Sequence, residues 1–572
     1  MKKLFKYLKG YVKESILGPL FKLFEASLEL IVPLVIASII DVGIEGGDKG
    51  HVLRMCGVLL LLGLVGFGFS VTAQYFAAKA SVGFVTKMKH GLYAHLQSLS
   101  YRDIDRLGTS TMITRMTDDS SKVQTGLNLT LRLLLRSPFV VFGAMIMALS
   151  IDKEAGLNFL WVILALSVVV FGIMLITMPM YKRVQSGVDK ILNKTRENLA
   201  GVRVIRAFGM EDSEVLEFGK ENALLASSQK RAGSISALMN PMTYVIVNLG
   251  IIMLINTGAL KVNSGILTQG QVIALYNYMS QILVELVKMA NLIVSISKAI
   301  ASAARISAAF DITPTQYYGT TERGIEGEAA VTFDRVSIAY NESSENSLEN
   351  VSFSAYRGET VGIIGGTGSG KTTLVNLISR FYDATDGKVL LDGVDVREYT
   401  KDALIKKIGV VPQKAVLFSG SIRENIKWGK PDATDEEIMR AIEIAQASDV
   451  ISAKGGLDAR IEAGGKNLSG GQRQRLTIAR ALVGNPDILI LDDSASALDY
   501  ATDASLRRAI RNMDGEQTVF IVSQRAASVM YADRIIVLDD GVVSGIGTHE
   551  DLLETNAVYR EIYDSQFKKE AS

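Results

Sequence analysis

IEAGGKNLSGGQRQRLTIARALVGNPDILILDDSASALD, residues 461–499, carries two signals that together decide the fold of this part of the chain. Leu468–Gln472 (LSGGQ) is a glycine turn that opens a helix. ILILD, residues 488–492, is an apolar strand that ends on two carboxylates, Asp492 and Asp493. A buried strand that delivers an acid to its C-terminal end places it where open α/β sheets bind ligands. Upstream, GGTGSGKT at residues 365–372 fits the pattern G-x-x-x-x-G-K-[ST] between the strand ETVGIIG and a helix. The glycines let backbone N–H groups close around phosphate, and the helix N-terminus adds its dipole. In that pattern Lys371 reaches the β- and γ-phosphates, and Thr372 and Asp492 bind Mg²⁺. Further short strands alternate with helices from AAVTFDRVSIAY to RIIVLD, which implies a largely parallel α/β domain over residues 329–572.

Working outward, the composition changes before residue 300. The chain has 572 residues, 48% of them hydrophobic, and 61 basic against 60 acidic groups. More than one domain is expected at this length, and the even charge balance gives no footprint for nucleic acid. Six apolar runs, near 15–41, 52–77, 129–151, 157–181, 236–260 and 270–295, are each long enough to cross a lipid bilayer. The connections near 42–51, 152–156 and 261–269 are short and poor in basic residues. Those near 78–128 and 182–235 are long and carry Lys79, Lys87, Arg102, Arg115, Lys182, Arg183, Lys194 and Arg203 among others. The basic side stays in the cytoplasm, which puts both termini and the α/β domain there. Leu192, Arg196, Leu199 and Arg203 fall at helical spacing, so the spans are expected to continue as helices beyond the membrane. The N-terminus reads as an amphipathic surface helix with Leu4, Phe5, Leu8, Tyr11 and Val12 on one face and no small-residue cleavage site. The domains expected are therefore a six-helix membrane domain over 1–312, a polar linker over 313–328 and the α/β domain over 329–572. The single cysteine, Cys56, rules out a disulfide within the chain.

With these motifs in place the chain resembles the ABC transporters, and the resemblance covers nearly its whole length. It implies a polytopic α-helical membrane domain followed by an α/β P-loop ATP-binding cassette domain, with ATP and Mg²⁺ as cofactors. By the same resemblance, ATP lies on Gly365, Gly366, Thr367, Gly368, Ser369, Gly370, Lys371, Thr372 and Thr373, with Tyr340 stacked on adenine. Strand-end packing is the competing role for Tyr340. Gln413, in VVPQ, is expected to sense Mg²⁺, and Ser496–Asp499 to cross to a second subunit. Leu468, Ser469, Gly470, Gly471 and Gln472 match the family signature, which closes over ATP held by the opposite subunit. Six spans preceding the cassette in one chain is the exporter arrangement. ENLAGVRVIRAFGMEDSE, residues 197–214, resembles the segment around a coupling helix near Phe208–Asp212, and YRDIDRLGTSTMITRMTDD, residues 101–119, resembles the first such segment.

Two positions depart from the family pattern. Asp493 stands where a catalytic glutamate is usual, which draws the carboxylate back by about 1.5 Å, one C–C bond. Gln524, in IVSQR, stands where a histidine is usual; glutamine donates a hydrogen bond but carries neither a titrating proton nor a charge. The two changes imply a site that holds ATP and hydrolyses it slowly, beside an intact signature that serves a partner. The expected partner is a second half-transporter with the glutamate and histidine in place, and the expected function is ATP-driven export of amphipathic small molecules across the cytoplasmic membrane. A homodimer, a peptide or lipid translocase and an ATP-gated channel-like regulator stay open as alternatives. The few residues before the first span argue against a leading peptidase domain. Glu25 with Glu29, and Arg132 with Arg136, lie one turn apart in spans. Paired carboxylates on a cavity wall would favour cationic drugs; pairing within the protein is the rival role. Glu285 and Lys288 are spaced to pair with each other, and Tyr276, Tyr278, Met279 and Met289 either line a pocket or pack.

Overall fold

The computed structural model describes residues 2–340, 345–494, 496–513 and 515–567. The chain forms two compact units: residues 1–97 with 109–312, and residues 98–108 with 313–572.

The first unit is helical. Its longer helices are α1 (Val12–Ser38), α2 (Lys49–Ser98), α3 (Ser120–Leu133), α4 (Arg136–Ile151), α5 (Lys153–Ala200), α6 (Glu211–Ala237), α7 (Met239–Asn263) and α8 (Gln269–Phe310). Among the described residues six helical stretches are long and apolar enough to span a membrane, and each contains one of the six expected runs. The stretches are much longer than the runs. At 50 residues, α2 extends about 75 Å, against about 30 Å of hydrocarbon. The third stretch breaks at Leu134 and Leu135, just ahead of Pro138, whose ring crowds the backbone before it.

Small residues set the close approaches. A Cβ on Gly250 would stand 2.8 Å from Val162, and one on Gly18 would stand 3.4 Å from the Ala77 amide. Ala26, Ala144, Ala148 and Ala274 are fully buried in the same core. Close backbone approach of this kind supplies van der Waals contact where lipid removes the hydrophobic drive. Leu60, Leu61, Leu64 and Phe67 of α2 are exposed on the chain, as an apolar solvent permits.

Two expectations are corrected here. Lys2–Tyr11 is a 3₁₀ helix, with three residues per turn rather than 3.6. Leu4 is buried, and Tyr7 and Leu8 pack partly buried against the same core, while Phe5 and Val12 are exposed and do not share its face. The short helix in the second long connection, residues 182–235, spans Val202–Ala207, and Phe208–Met210 forms the turn after it. Gly201 and Gly209 bracket that helix, and Gly209 takes φ +62°, which ends it before the expected position.

The second unit holds two main sheets. An antiparallel sheet in the order β2-β1-β4-β5 uses β1 (Val331–Ile338), β2 (Leu348–Ala355), β4 (Asp386–Leu391) and β5 (Val394–Asp395). The central sheet contains β3 (Thr360–Gly365), β6 (Ile408–Val411), β7 (Ile488–Asp492), β8 (Thr518–Val522), β9 (Arg534–Asp539) and β10 (Val542–Gly547) in the order β10-β9-β3-β8-β7-β6. All its pairings are parallel except β9 with β10. Its strands are apolar almost throughout, as a sheet covered on both faces requires. The polar stretch that begins at Thr313 is docked on its own unit. Thr315 donates to Asp103, Arg380 donates to the Tyr317 carbonyl, and Gly319 and Thr321 bond to the backbone near Glu398.

Candidate nucleotide site

Register brings the site together. Val522 pairs with Asp492 on one side and Ile363 on the other, so β3, β7 and β8 end level with one another. Their C-terminal ends carry the glycine loop, the two aspartates and Gln524 into one cleft of about 260 Å³. The loop turns through Gly368 (φ +87°) and Gly370 (φ +94°), a region that only glycine enters readily. At Gly370 a Cβ would also meet the Ser347 carbonyl at 2.7 Å. The helix α9 (Lys371–Ile378) starts directly after it and aims its N-terminus into the cleft.

Lys371 Nζ donates to the carbonyls of Gly365 (2.9 Å) and Gly366 (2.6 Å). Burial lowers its pKa, and the charges of Asp493 and Asp492 act against that shift. Thr372 Oγ1 donates to Asp492 Oδ1 at 3.1 Å. Asp492 is buried, and that burial raises its pKa, with repulsion from Asp493 adding to the shift. A buried carboxylate held by one hydroxyl is a group a cation would stabilise. Two hard oxygens side by side suit Mg²⁺, which takes one or two protein oxygens and fills its octahedron from phosphate and water. Gln413 Nε2 lies 3.3 Å from Asp493 Oδ2, so the third expected metal-side residue donates to the shortened carboxylate. Asp493 itself takes φ +45°, with its amide bonded to Val522 O and its carbonyl accepting from Ser496. Gln524 is exposed at the rim, and its carbonyl accepts from Gln566.

Tyr340 stands beside this loop. Its hydroxyl donates to Thr373 Oγ1 at 3.0 Å, and its ring meets Tyr382 edge-on at 4.9 Å. Tyr382 was not singled out from sequence. Its hydroxyl donates to Asp105 at 2.6 Å, and Phe381 beside it packs on Tyr101 at 4.7 Å. The only sequence signal was a pair of aromatics just after the phosphate-loop helix.

The signature opens the helix α10 (Gly470–Leu482). Ser469 Oγ accepts from the Gln472 amide and Gln472 Oε1 accepts from the Ser469 amide, a reciprocal cap. A Cβ on Gly470 would meet nothing within 4 Å, so that face of the turn is open. Asp499 also caps a helix, α11 (Tyr500–Arg511), by accepting from the Thr502 amide and hydroxyl.

Comparison with known proteins matches residues 15–286 to the ABC transporter transmembrane region and residues 348–496 to the ABC transporter family model. YfiB of Bacillus subtilis, described as an ABC transporter ATP-binding protein, is 35% identical over 100% of both chains. This chain belongs to the ABC transporter family. YgaD of Bacillus subtilis, described as a putative multidrug export ATP-binding/permease protein, is 30% identical over 99% of both chains. A bacterial Atm1-family ABC exporter solved with ATP bound shares the fold at TM-score 0.80 and 23% identity, over 98% of this chain and 99% of that one. The chain is thus an ABC half-transporter with the exporter fold. It is a multi-pass membrane protein whose ATP-binding domain implies an ATPase coupled to transport, and exporters of this architecture act as dimers in the bilayer.

Proposed function

We propose that this chain is one half of a heterodimeric ATP-driven exporter of amphipathic small molecules, with its termini and ATP-binding domain in the cytoplasm. Its phosphate loop, Asp492, Asp493 and Gln524 form a slow ATP site. Leu468–Gln472 completes a faster site on a partner that carries glutamate and histidine at those two positions.

The observation that carries this reading is the pair of departures in one cleft. Asp493 ends one methylene short of a glutamate and accepts from Gln413, which draws it away from a general-base role. A carboxylate about 1.5 Å out of place loses on the order of 100-fold when positioning is the catalytic effect. Gln524 adds a donor but no charge to offset the phosphate. Lys371, the loop amides and Tyr340 keep what binding needs. Mg²⁺ on Thr372 and Asp492 would neutralise phosphate charge. ATP binding then closes the cassettes, the slow site holds them together, and hydrolysis at the partner's site reopens them.

The test is to purify the two-chain complex and introduce Asp493→Glu with Gln524→His. Steady-state ATPase is expected to rise, because a second site begins to turn over. An unchanged rate would remove these two residues as the cause of asymmetry. Recovery of this chain alone as a fast, transporting homodimer would remove the heterodimer.

A further inference from the structure

The ionisable residues at membrane depth are confined to one side of the helical unit. α2 between Arg54 and Lys79, α5 between Glu154 and Lys182, and α7 before Lys261 carry no Asp, Glu, Lys, Arg or His. α1, α3, α4 and α8 carry Lys22, Glu25, Glu29, Arg132, Arg136, Glu285 and Lys288. Glu285 lies sixteen residues into α8 and Arg136 sixteen residues before Asp152, about 24 Å from the ends marked by the Asp152–Lys261 ion pair. That depth is inside a hydrocarbon core of about 30 Å.

Most of these groups form one network. Arg136 donates to Glu29 at 2.5 Å and to Glu285 at 2.6 Å. Ser137 and Lys288 donate to Glu285, each at 2.9 Å, and Lys22 donates to Glu25. The centre is buried, with Arg136 at 8% and Glu285 at 3% side-chain exposure, while Glu29 (40%) and Lys288 (48%) reach out of it. Charged ends this exposed do not face lipid; they face water or a polar partner.

The sum is not zero. Lys22, Arg132, Arg136 and Lys288 are four cations against three carboxylates, Glu25, Glu29 and Glu285. Arg132 makes no ion pair or hydrogen bond among the described residues. α3 runs antiparallel to α8, with Asp119 on Arg305 and Gly126 against Ala299. Past the break at Leu134 and Leu135 the pairing resumes with Arg136 on Glu285, so Arg132 and Lys288, four and three residues from that pair on antiparallel helices, lie to the same side of it. Two further polar atoms, Arg136 Nε and Gln281 Oε1, are buried without a partner, and Gln281 is one turn from Glu285.

We propose that this side of the bundle is the substrate site, and that it takes an amphipathic anion. Arg132 and Lys288 hold the carboxylate, sulfonate or phosphate, and the apolar flanks of α1 and α8 take the body. The carboxylates that the sequence alone offers to cationic drugs, Glu25 and Glu29, are already neutralised by Lys22 and Arg136. This inference rests on the export reading and specifies its substrate class.

The experiment uses the complete transporter in proteoliposomes, with taurocholate as the anionic probe and rhodamine 6G as the cationic one. ATP-dependent taurocholate transport is expected, without rhodamine transport. Arg132→Gln with Lys288→Gln is expected to raise the KM for taurocholate about 10-fold or more. Lys288→Arg is expected to restore it, and Glu29→Gln, which adds positive charge, to lower it. A purely structural network would lose function in both directions. Rhodamine transport in place of taurocholate, or a taurocholate KM indifferent to these changes, overturns the anion site and leaves export standing. ATP hydrolysis with neither probe moved overturns the export reading itself, and the anion site with it.

Discussion

Asp492 shows how one side chain divides its cost and its use. It is buried, one hydroxyl stabilises its charge, and a second carboxylate stands next to it in sequence. The charged form is therefore disfavoured in the protein without ligand. Asp492→Asn is expected to leave that protein no less stable, with Tm rising by about 2–4 °C for each kcal/mol relieved in a domain of this size. The Tm increase caused by Mg·ATP is expected to vanish in the same variant, because RT ln(1 + [L]/Kd) collapses once binding is lost. Thermal melts with and without Mg·ATP check both outcomes, and a variant melting well below the parent would mean that Asp492 holds the fold. At this scale the sequence was most legible where chemistry dictates residue type. GGTGSGKT, ILILD and LSGGQ were readable because phosphate needs glycine amides and a cation needs an acid at a strand end. What hydrogen-bonds to what was not readable. Nothing in the order of residues says that Gln413 reaches Asp493, or that Asp499 spends its carboxylate on a helix cap.

Between the residues and the whole lie the segments 98–108 and 313–321, which share one anchor. Asp103 is buried and accepts from Ser100 Oγ (2.6 Å), Ser100 N (3.1 Å) and Thr315 N (3.1 Å). Burial pushes its pKa up, but the hydrogen bonds from Ser100 and Thr315 outweigh it and hold the group below its usual value of 3.8. A lowered carboxylate pKa gives stability that is complete above the unfolded value and is lost as pH falls through the folded one. Asp103→Asn is therefore expected to destabilise this unit at pH 7, by about 1.5–3 kcal/mol if the charged hydrogen bonds are lost. The difference should shrink below pH 4, and melts of variant and parent across pH 3–8 measure it; a constant gap would mean that charge is irrelevant there. The first segment also meets the nucleotide site through Tyr382, which touches both Asp105 and Tyr340. Tyr382→Phe removes one hydroxyl and keeps the ring contact. ATP affinity is expected to hold within about 2-fold, while substrate-stimulated ATPase falls several-fold, on the order of 1 kcal/mol of coupling. A matched fall in ATP affinity would make Tyr382 part of the binding site instead. The spans were legible because lipid enforces some 20 apolar residues, and the alternation of strands was legible because a covered sheet enforces apolar runs. The docking of the linker was not, since its partners lie some 60–210 residues away. The helix at Val202–Ala207 was misplaced because the glycine that stops it, Gly209, reads in sequence like part of the helix's own flank.

In the assembly proposed above, one chain would supply half of each composite site, and no order of residues within it specifies the other half. Geometry does show which substitutions isolate the two halves. Gly470 meets nothing within 4 Å of an added Cβ, so Gly470→Asp leaves this chain's own packing intact. It harms only what closes over the signature, placing a carboxylate where a γ-phosphate would come. Lys371→Met acts on the opposite side, removing the ammonium from this chain's own phosphate loop. In the two-chain complex, Gly470→Asp is expected to abolish more than about 95% of ATP turnover, since losing transition-state stabilisation worth 2 kcal/mol already costs about 30-fold. Lys371→Met is expected to retain most of the turnover, because the site it damages contributes little. If the dimer were symmetric, every site would contain one Lys371 and one Gly470, and both substitutions would abolish turnover alike. The ratio of the two residual rates, measured at saturating Mg·ATP, therefore decides between the arrangements. A ratio near one means equivalent sites, and a ratio above about 10, a difference of about 1.4 kcal/mol in barrier, means that this chain's ATP holds the dimer while its signature drives hydrolysis on the partner.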